Sequence, residues 1–199
     1  GVSNGVQQLL GMLFGIYLAR TLNAEDYGLV GMLAIFSGIA STIINSGFSV
    51  ALTNKLDATH KDYNAVFWFS FVVSICLYIV LFFSAPLIAS FYDRQELVNL
   101  SRVIFASFLF SGMAIVPHVI LFKQLQVKMQ AKIDVFALFL SGMCGVLLAF
   151  NGFAYWALAI QSTVYVASAS LLKWMVVSWR PSLDFSIEPL KEMFPFSVK

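Results

Sequence analysis

The sequence predicts an all-α integral membrane protein with six transmembrane helices followed by an interfacial amphipathic helix. Hydrophobic residues account for 60% of the chain and charged residues for only 11%, whereas a soluble domain carries about 25% charged residues. The mean hydropathy is +0.85. Several uncharged runs reach the roughly 20 residues that a helix needs to cross a bilayer. Because a helix satisfies its own backbone groups without water, we interpret these runs as helices.

The first two uncharged runs predict a helical hairpin. They cover residues 1–19 and 27–53, and a short polar turn with an acidic pair separates them. The second run is longer than a span requires, so its end is expected to leave the membrane near Lys55. Asn45 and many small residues lie in this run, which favours close packing between helices.

Two further spans are predicted at residues 63–92 and 97–122. A solvated loop is expected before them, at residues 55–62, because charged residues and a histidine are concentrated there. A basic, glutamine-rich connection follows them at residues 123–132.

The fifth and sixth spans are predicted from one long uncharged stretch. Residues 135–172 contain 38 positions without a formal charge, which is enough for two helices if the turn between them is very short. Asn151 and Gly152 supply that turn, because both residue types accept the left-handed conformations that a tight reversal needs. The two spans are therefore placed at about 133–150 and 155–177.

The chain becomes polar after the sixth span. Four apolar side chains then fall at helical spacing, which predicts an amphipathic helix at the membrane surface. They are Ile187, Leu190, Met193 and Phe194. We therefore divide the chain into a transmembrane unit at 1–179 and a cytoplasmic amphipathic segment at 180–199. Because the chain begins with Gly1 and ends inside this segment, we expect it to be part of a longer protein.

The positions of the basic residues predict that both ends of the chain are cytoplasmic. Lys and Arg accumulate in the cytoplasmic loops of membrane proteins. If the chain starts in the cytoplasm, nine basic residues fall on that side and three on the other. The nine are Lys55, Lys61, Lys123, Lys128, Lys132, Lys173, Arg180, Lys191 and Lys199, and the three are Arg20, Arg94 and Arg102.

No catalytic arrangement is visible in the sequence. It lacks a Ser-His-Asp set, an HExxH motif and a glycine-rich phosphate loop, and its two histidines, His60 and His118, are far apart. The sequence therefore argues against an enzyme. Cys76 and Cys144 are isolated in apolar runs without metal-ligand spacing, so they are interpreted as small buried residues. Neither a metal nor another cofactor is predicted.

Polar side chains at membrane depth are the remaining candidates for function, because such groups usually face the bundle interior or a watery cavity. Five were selected as substrate-binding candidates: Arg20, Arg102, His118, Gln8 and Asn45. Each has an alternative role. The two arginines can snorkel to the headgroups, His118 can pack at the interface, and Gln8 and Asn45 can form hydrogen bonds between helices.

Several motifs resemble those of the polysaccharide flippases. The segment ARTLNAEDYGLVGML followed by NSGFSVAL is similar to the opening hairpin of this family. Further similar stretches are Val66-Phe67-Trp68, residues 85–92 (APLIASFY), residues 152–158 (GFAYWAL) and Arg180-Pro181. The resemblance covers essentially the whole chain in order. It is strongest to the Wzx-type exporters of exopolysaccharide, O-antigen or colanic-acid-type repeat units, within the MATE-like superfamily.

This resemblance implies that the chain is one six-helix lobe of a two-lobed transporter, with residues 180–199 leading to the second lobe. The complete protein would flip undecaprenyl-diphosphate-linked oligosaccharide across the bacterial inner membrane by alternating access. Its partners would be this lipid-linked substrate, membrane lipid, and polysaccharide polymerase and chain-length proteins, with no nucleic acid. Arg20 lies in a matching motif and is the first candidate to pair with an anionic headgroup.

Two other functions remain open at this stage. A related cation-coupled drug exporter would need a carboxylate inside the lobe, whereas every Asp and Glu is predicted in a loop or at the end of a span. A non-transporting scaffold for polysaccharide assembly would need no polar residues at membrane depth. The flippase is favoured over both.

Overall fold

The computed structural model describes residues 2–44, 48–55, 57–182 and 189–190. Seven helices lie within these ranges, and the described part of the chain has no strand. They are α1 (Val2–Thr21), α2 (Ala24–Ile44), α3 (Phe48–Asn54), α4 (His60–Phe91), α5 (Glu96–Lys123), α6 (Val127–Phe150) and α7 (Tyr155–Val176).

The helices confirm a multi-pass membrane protein. Four of them, α2, α4, α5 and α6, are long and apolar enough to cross a bilayer. The helices α1 and α7 coincide with the predicted first and sixth spans. The predicted second span is represented by α2 and α3, and Asn45 lies outside the described residues.

Two helices begin earlier than the sequence predicts. The helix α6 begins at Val127, inside the connection expected at 123–132, and α4 begins at His60, inside the expected loop. A search for uncharged runs cannot find such starts, because charged residues in the first turns of a helix can still reach the headgroups.

The start of α4 is fixed by a buried carboxylate. Asp62 is only 3% exposed. Its Oδ2 accepts hydrogen bonds from the backbone N–H and the hydroxyl of Thr59, both at 2.8 Å, which is the N-terminal capping arrangement that satisfies free donors at a helix start. Its Oδ1 accepts a hydrogen bond from Lys55 Nζ at 2.8 Å.

The predicted tight turn between α6 and α7 is confirmed. Residues 151–154 join the two helices, and Gly152 has φ +79°, a conformation that glycine adopts without steric cost. The neighbouring α5–α6 turn reverses at Leu125, which has φ +54°.

The helix α5 is central to the bundle. It packs against α4, α7, α2, α3 and α6, and its residues Leu97, Leu100, Phe105 and Val116 are completely buried. Its contact with α4 is especially close at Gly112, where a Cβ would overlap the side chain of Ser74.

Three side chains of α7 donate hydrogen bonds to backbone carbonyls of α5. Thr163 bonds to Val103 at 3.3 Å, Ser170 to Phe110 at 3.0 Å and Trp174 Nε1 to Met113 at 3.1 Å. The donors on α7 and the acceptors on α5 follow the same order in the sequence, so the two helices run parallel. The Met113 carbonyl is available because Pro117, four residues later, has no N–H to donate.

Among the described elements, the helix α1 packs mainly against α6. Phe14 lies against Gly142, where a Cβ would overlap its ring. A small cluster around Leu18 and Ala149 closes the other end of this contact. Much of α1 remains exposed, including Leu9 and Leu13.

The amphipathic segment is described only in part, since residues 183–188 and 191–199 lie outside the described residues. Of its four predicted apolar positions, Leu190 is described. It is 9% exposed and belongs to the main hydrophobic core.

Candidate functional site

A polar cavity of about 290 Å³ lies between α3, α5, α6 and α7. Its charged or polar lining residues are Ser49, Ser111, His118, Asp134, Tyr165, Ser170 and Lys173, and its apolar ones are Ala114, Ile115, Val166 and Ala169. A smaller cavity of about 200 Å³ also has Ser49 and His118 in its lining.

Helical spacing explains which side chains reach the cavity. On α5, Ser111 and His118 are seven residues apart and therefore share one face. On α7, Tyr165, Ala169 and Lys173 follow one another at intervals of four, which also places them on one face. The small residues on these faces, such as Ala169, leave the space that the cavity occupies.

Lys173 and Asp134 are the two oppositely charged side chains of the cavity. Both are partly buried. Neither forms a hydrogen bond or ion pair with another residue in the part of the chain that the structure describes. A partly buried charge is costly in a membrane protein, and these two attract each other across the cavity without a direct contact.

His118 is held in place by a residue of α6. The side-chain amide of Gln130 lies 3.2 Å from its Nδ1 atom and donates a hydrogen bond to its backbone carbonyl, also at 3.2 Å. These contacts orient the imidazole ring within the lining of the cavity.

The cavity lies near one end of the bundle. Lys173 is three residues from the end of α7, His118 is five from the end of α5, and Asp134 is seven from the start of α6. At 1.5 Å per residue these offsets correspond to about 5–10 Å. This is the end predicted to be cytoplasmic.

His118 is the one sequence-selected candidate that lines this cavity. Arg20 and Gln8 are exposed on α1. The guanidinium of Arg102 lies 4.3 Å from the centre of the Phe82 ring on α4, and its Nε is buried without a hydrogen bond to the described residues. Asn45 lies outside the described residues.

Sequence reasoning missed Lys173 and Asp134. It counted Lys173 among the cytoplasmic loop charges and placed every acidic residue in a loop or at the end of a span. Asp134 is the eighth residue of α6 and faces the cavity, so that statement was wrong for this residue. The four-residue spacing of Tyr165, Ala169 and Lys173 was the available signal.

The acidic and histidine residues do not form a metal site in the described part of the chain. No group of three or more His, Cys, Asp or Glu side chains there is placed to hold a metal ion. The described side chains of the cavity offer hydrogen bonding and charge pairing.

The polar cavity between the helices of this multi-pass membrane protein is its candidate ligand-binding site. The particular family follows from comparison. Residues 17–199 match the family described as "Polysaccharide biosynthesis protein", and the chain belongs to that family.

Three curated proteins show the range of similar sequences. The chain is 30% identical to the teichuronic acid biosynthesis protein TuaB of Bacillus subtilis, over 80% of this chain and 33% of the relative. It is 20% identical to the lipopolysaccharide biosynthesis protein WzxC of Escherichia coli, over 89% of this chain and 37% of the relative. It is 23% identical to the succinoglycan biosynthesis transport protein ExoT of Rhizobium meliloti, over 90% of this chain and 36% of the relative.

The chain thus spans about a third of the length of these relatives. No solved structure gives a significant match.

Proposed function

We propose that the intact protein flips undecaprenyl-diphosphate-linked oligosaccharide repeat units across the bacterial inner membrane for surface polysaccharide biosynthesis. The observation that carries this proposal is the cavity lined by the oppositely charged Lys173 and Asp134 in a member of a polysaccharide biosynthesis family. A scaffold that only tethers other proteins would have no need of two such charges at membrane depth.

In this proposal, residues 1–179 form a six-helix lobe of the MATE-like type. The helices α1 and α7 cross the membrane together with the four that meet the criteria of length and apolarity. Both ends of the chain lie in the cytoplasm, and residues 180–199 lead to a second lobe. The two lobes rock against each other around the substrate, as in transporters built from repeats.

The protein acts without chemistry of its own. It moves a completed lipid-linked unit and is not an enzyme, and it hands the unit to a polymerase and chain-length proteins on the other side. Among the sequence-selected residues, Arg20, Arg102, Gln8 and Asn45 are proposed to contact the substrate elsewhere along its path, and Arg20 is the first of these to test.

The proposal is tested in the native cell by depleting the protein and measuring lipid-linked oligosaccharide. Wild-type protein is expected to clear the repeat units that accumulate on the cytoplasmic side. Lys173→Ala is expected to restore less than about a tenth of the clearance, since it removes a charged partner from the cavity. Arg20→Ala is run as a separate arm.

Lys128→Ala is the matched control, because Lys128 is an exposed lysine near the same end of the bundle. It is expected to restore full clearance at equal protein level. If depletion causes no accumulation of lipid-linked sugar, the flippase assignment is wrong.

A cation-coupled drug exporter is the second candidate, and Asp134 is the observation that favours it. This carboxylate lies inside the bundle, where such an exporter needs one. Lys173 in the same cavity weighs against it, because a fixed ammonium competes with a bound cation. Drug efflux from the same depleted and rescued cells separates the two functions.

A further inference from the structure

We propose that the cavity binds one sugar residue of the substrate's headgroup, and that the diphosphate is bound elsewhere. This inference rests on the proposed function and deepens it. It assigns the site to a neutral polyhydroxy ring that donates to Asp134 and accepts from Lys173.

The charge of the cavity supports a neutral ligand. Among the described lining residues, Lys173 contributes one positive charge and Asp134 one negative charge, and the two cancel. A diphosphate bound in the cavity would be attracted by the ammonium of Lys173 and repelled by the carboxylate of Asp134. Like charges in a site of low dielectric repel strongly, so Asp134 disfavours a phosphate at this position.

The hydrogen-bonding groups of the cavity match sugar hydroxyls. A carboxylate only accepts and an ammonium only donates, whereas the hydroxyls of Ser49, Ser111 and Tyr165 do both. A sugar hydroxyl also does both. A single ring with several hydroxyls therefore satisfies Asp134 and Lys173 at the same time, which no purely anionic group does.

The size of the cavity admits one ring. Ligand pockets in proteins measure about 300–1,000 Å³, and this one, at about 290 Å³, lies at the lower limit. Ile115, Val166 and Ala169 supply apolar walls for the carbon face of a ring. An oligosaccharide would have to extend beyond it.

The test uses the purified intact protein in lipid nanodiscs and two probe lipids. One is the lipid-linked oligosaccharide extracted from the depleted cells, and the other is undecaprenyl diphosphate without sugar. Asp134→Leu is expected to weaken binding of the first about 10- to 100-fold, because a charged hydrogen-bond partner is lost. Binding of the second is expected to change less than about twofold.

Two variants serve as controls for this test. Asp134→Asn keeps hydrogen-bonding capacity and is expected to retain most of the affinity. Asp57→Leu removes a carboxylate that is exposed outside the bundle and is expected to have no effect. Thermal unfolding of each variant confirms that it is folded.

The outcomes separate this inference from the proposed function. If Asp134→Leu weakens both lipids equally, or strengthens the lipid without sugar, the cavity is a phosphate site and the inference is wrong while the function stands. If wild-type protein binds neither lipid, both are overturned.

A second inference concerns the segment that follows α7, and it comes from an independent set of contacts. We infer that residues 177–182 move with α4 as part of this lobe. The backbone N–H of Ser182 donates to Asn64 Oδ1 at 2.9 Å, and its carbonyl accepts from Trp68 Nε1 at 2.8 Å. Asn64 is 1% exposed, so its amide is fixed in place by packing.

Aromatic contacts add to these hydrogen bonds. The ring of Trp179 lies 5.6 Å from His60, 5.8 Å from Phe67 and 6.0 Å from Trp174 between centroids. These contacts hold residues 177–182 against α4, and Leu190 is buried in the main core.

Spin labels at Gln95 and Ser182 test this in a protein whose native cysteines are replaced by serine. A label at either position leaves the hydrogen bonds of the Ser182 backbone with Asn64 and Trp68 intact. One narrow distance is expected, unchanged by addition of the lipid-linked oligosaccharide, and Asn64→Ala with Trp68→Phe is expected to broaden it. A second distance in the labelled protein that keeps Asn64 and Trp68 would show that residues 177–182 detach from α4, and would overturn the inference.

Discussion

Pro117 and Trp174 illustrate how single residues shape the cavity. Pro117 removes one backbone donor from α5, and Trp174 of α7 donates its indole N–H to the Met113 carbonyl that is left over. The donor Trp174 is next to Lys173 on α7, and His118 directly follows Pro117 on α5. The hydrogen bond that α5 lacks at the Met113 carbonyl is therefore replaced by one from α7, the helix that carries Lys173.

Replacing Trp174 by Phe should expose the role of this bond. The variant keeps an aromatic ring and leaves the Met113 carbonyl unpaired, so we expect a loss of about 1–3 kcal/mol in unfolding free energy. In a Pro117→Ala background the carbonyl regains a backbone donor, and the same change should cost less. Equal costs in the two backgrounds, measured by unfolding in detergent, would contradict this account.

A second prediction for a single residue concerns Gly112. A Cβ at this position would overlap the side chain of Ser74 on α4, so Gly112→Ala is expected to cost about 1–3 kcal/mol through overpacking. Gly15→Ala is the control, because nothing lies within 4 Å of the corresponding Cβ on α1. Thermal unfolding of the two variants should separate them clearly; similar midpoints would show that α4 and α5 can move apart.

The cavity residues could be predicted only in part. His118 attracted attention because an ionisable residue beside a proline is unusual in a span. Lys173 and Asp134 did not, because a charge near a helix end is normally assigned to the headgroup region. Which side of the helix such a charge faces depends on packing between α5, α6 and α7, and a pattern of uncharged runs carries no information on that.

At the scale of helices, two ion pairs should contribute very differently. Asp62 is buried and caps α4 while pairing with Lys55, so Asp62→Asn is expected to lower the unfolding free energy by about 1–3 kcal/mol. Glu25 and Arg94 form an ion pair that is largely exposed, and Glu25→Gln should cost at most about 0.5 kcal/mol. A comparable loss for the two, in unfolding experiments, would disprove the ranking.

Helix cores were predicted well and helix starts less well. The uncharged runs located the interior of every long helix, since lipid excludes charge from the middle of a span. The starts of α4 and α6 were missed because the residues that begin them, such as His60 and Lys128, are polar. The helix α4 begins at the capping box of Thr59 and Asp62, and α6 begins at Val127 without a side-chain cap. Both starts lie before the uncharged run.

For the whole molecule, the proposed topology makes a direct prediction about α7. In a protein with both native cysteines replaced by serine, Asn151→Cys lies in the turn before this helix and Ser178→Cys just after it, and both positions are exposed. An impermeant thiol reagent applied to intact cells should label Asn151→Cys, and should label Ser178→Cys only after permeabilisation. Labelling of both positions from outside would mean that α7 does not cross the membrane.

The packing of α1 has a consequence for how the chain is made. Its main contact among the described elements is α6, which begins at Val127, whereas α1 ends at Thr21. At about 5–20 residues per second, the ribosome needs about 5–20 s to supply the intervening chain. In the proposed topology α1 waits in the bilayer without this helical partner during that time, so its insertion must depend on its own affinity for lipid and on the translocation machinery. This helix is thus packed only after α6 has been made.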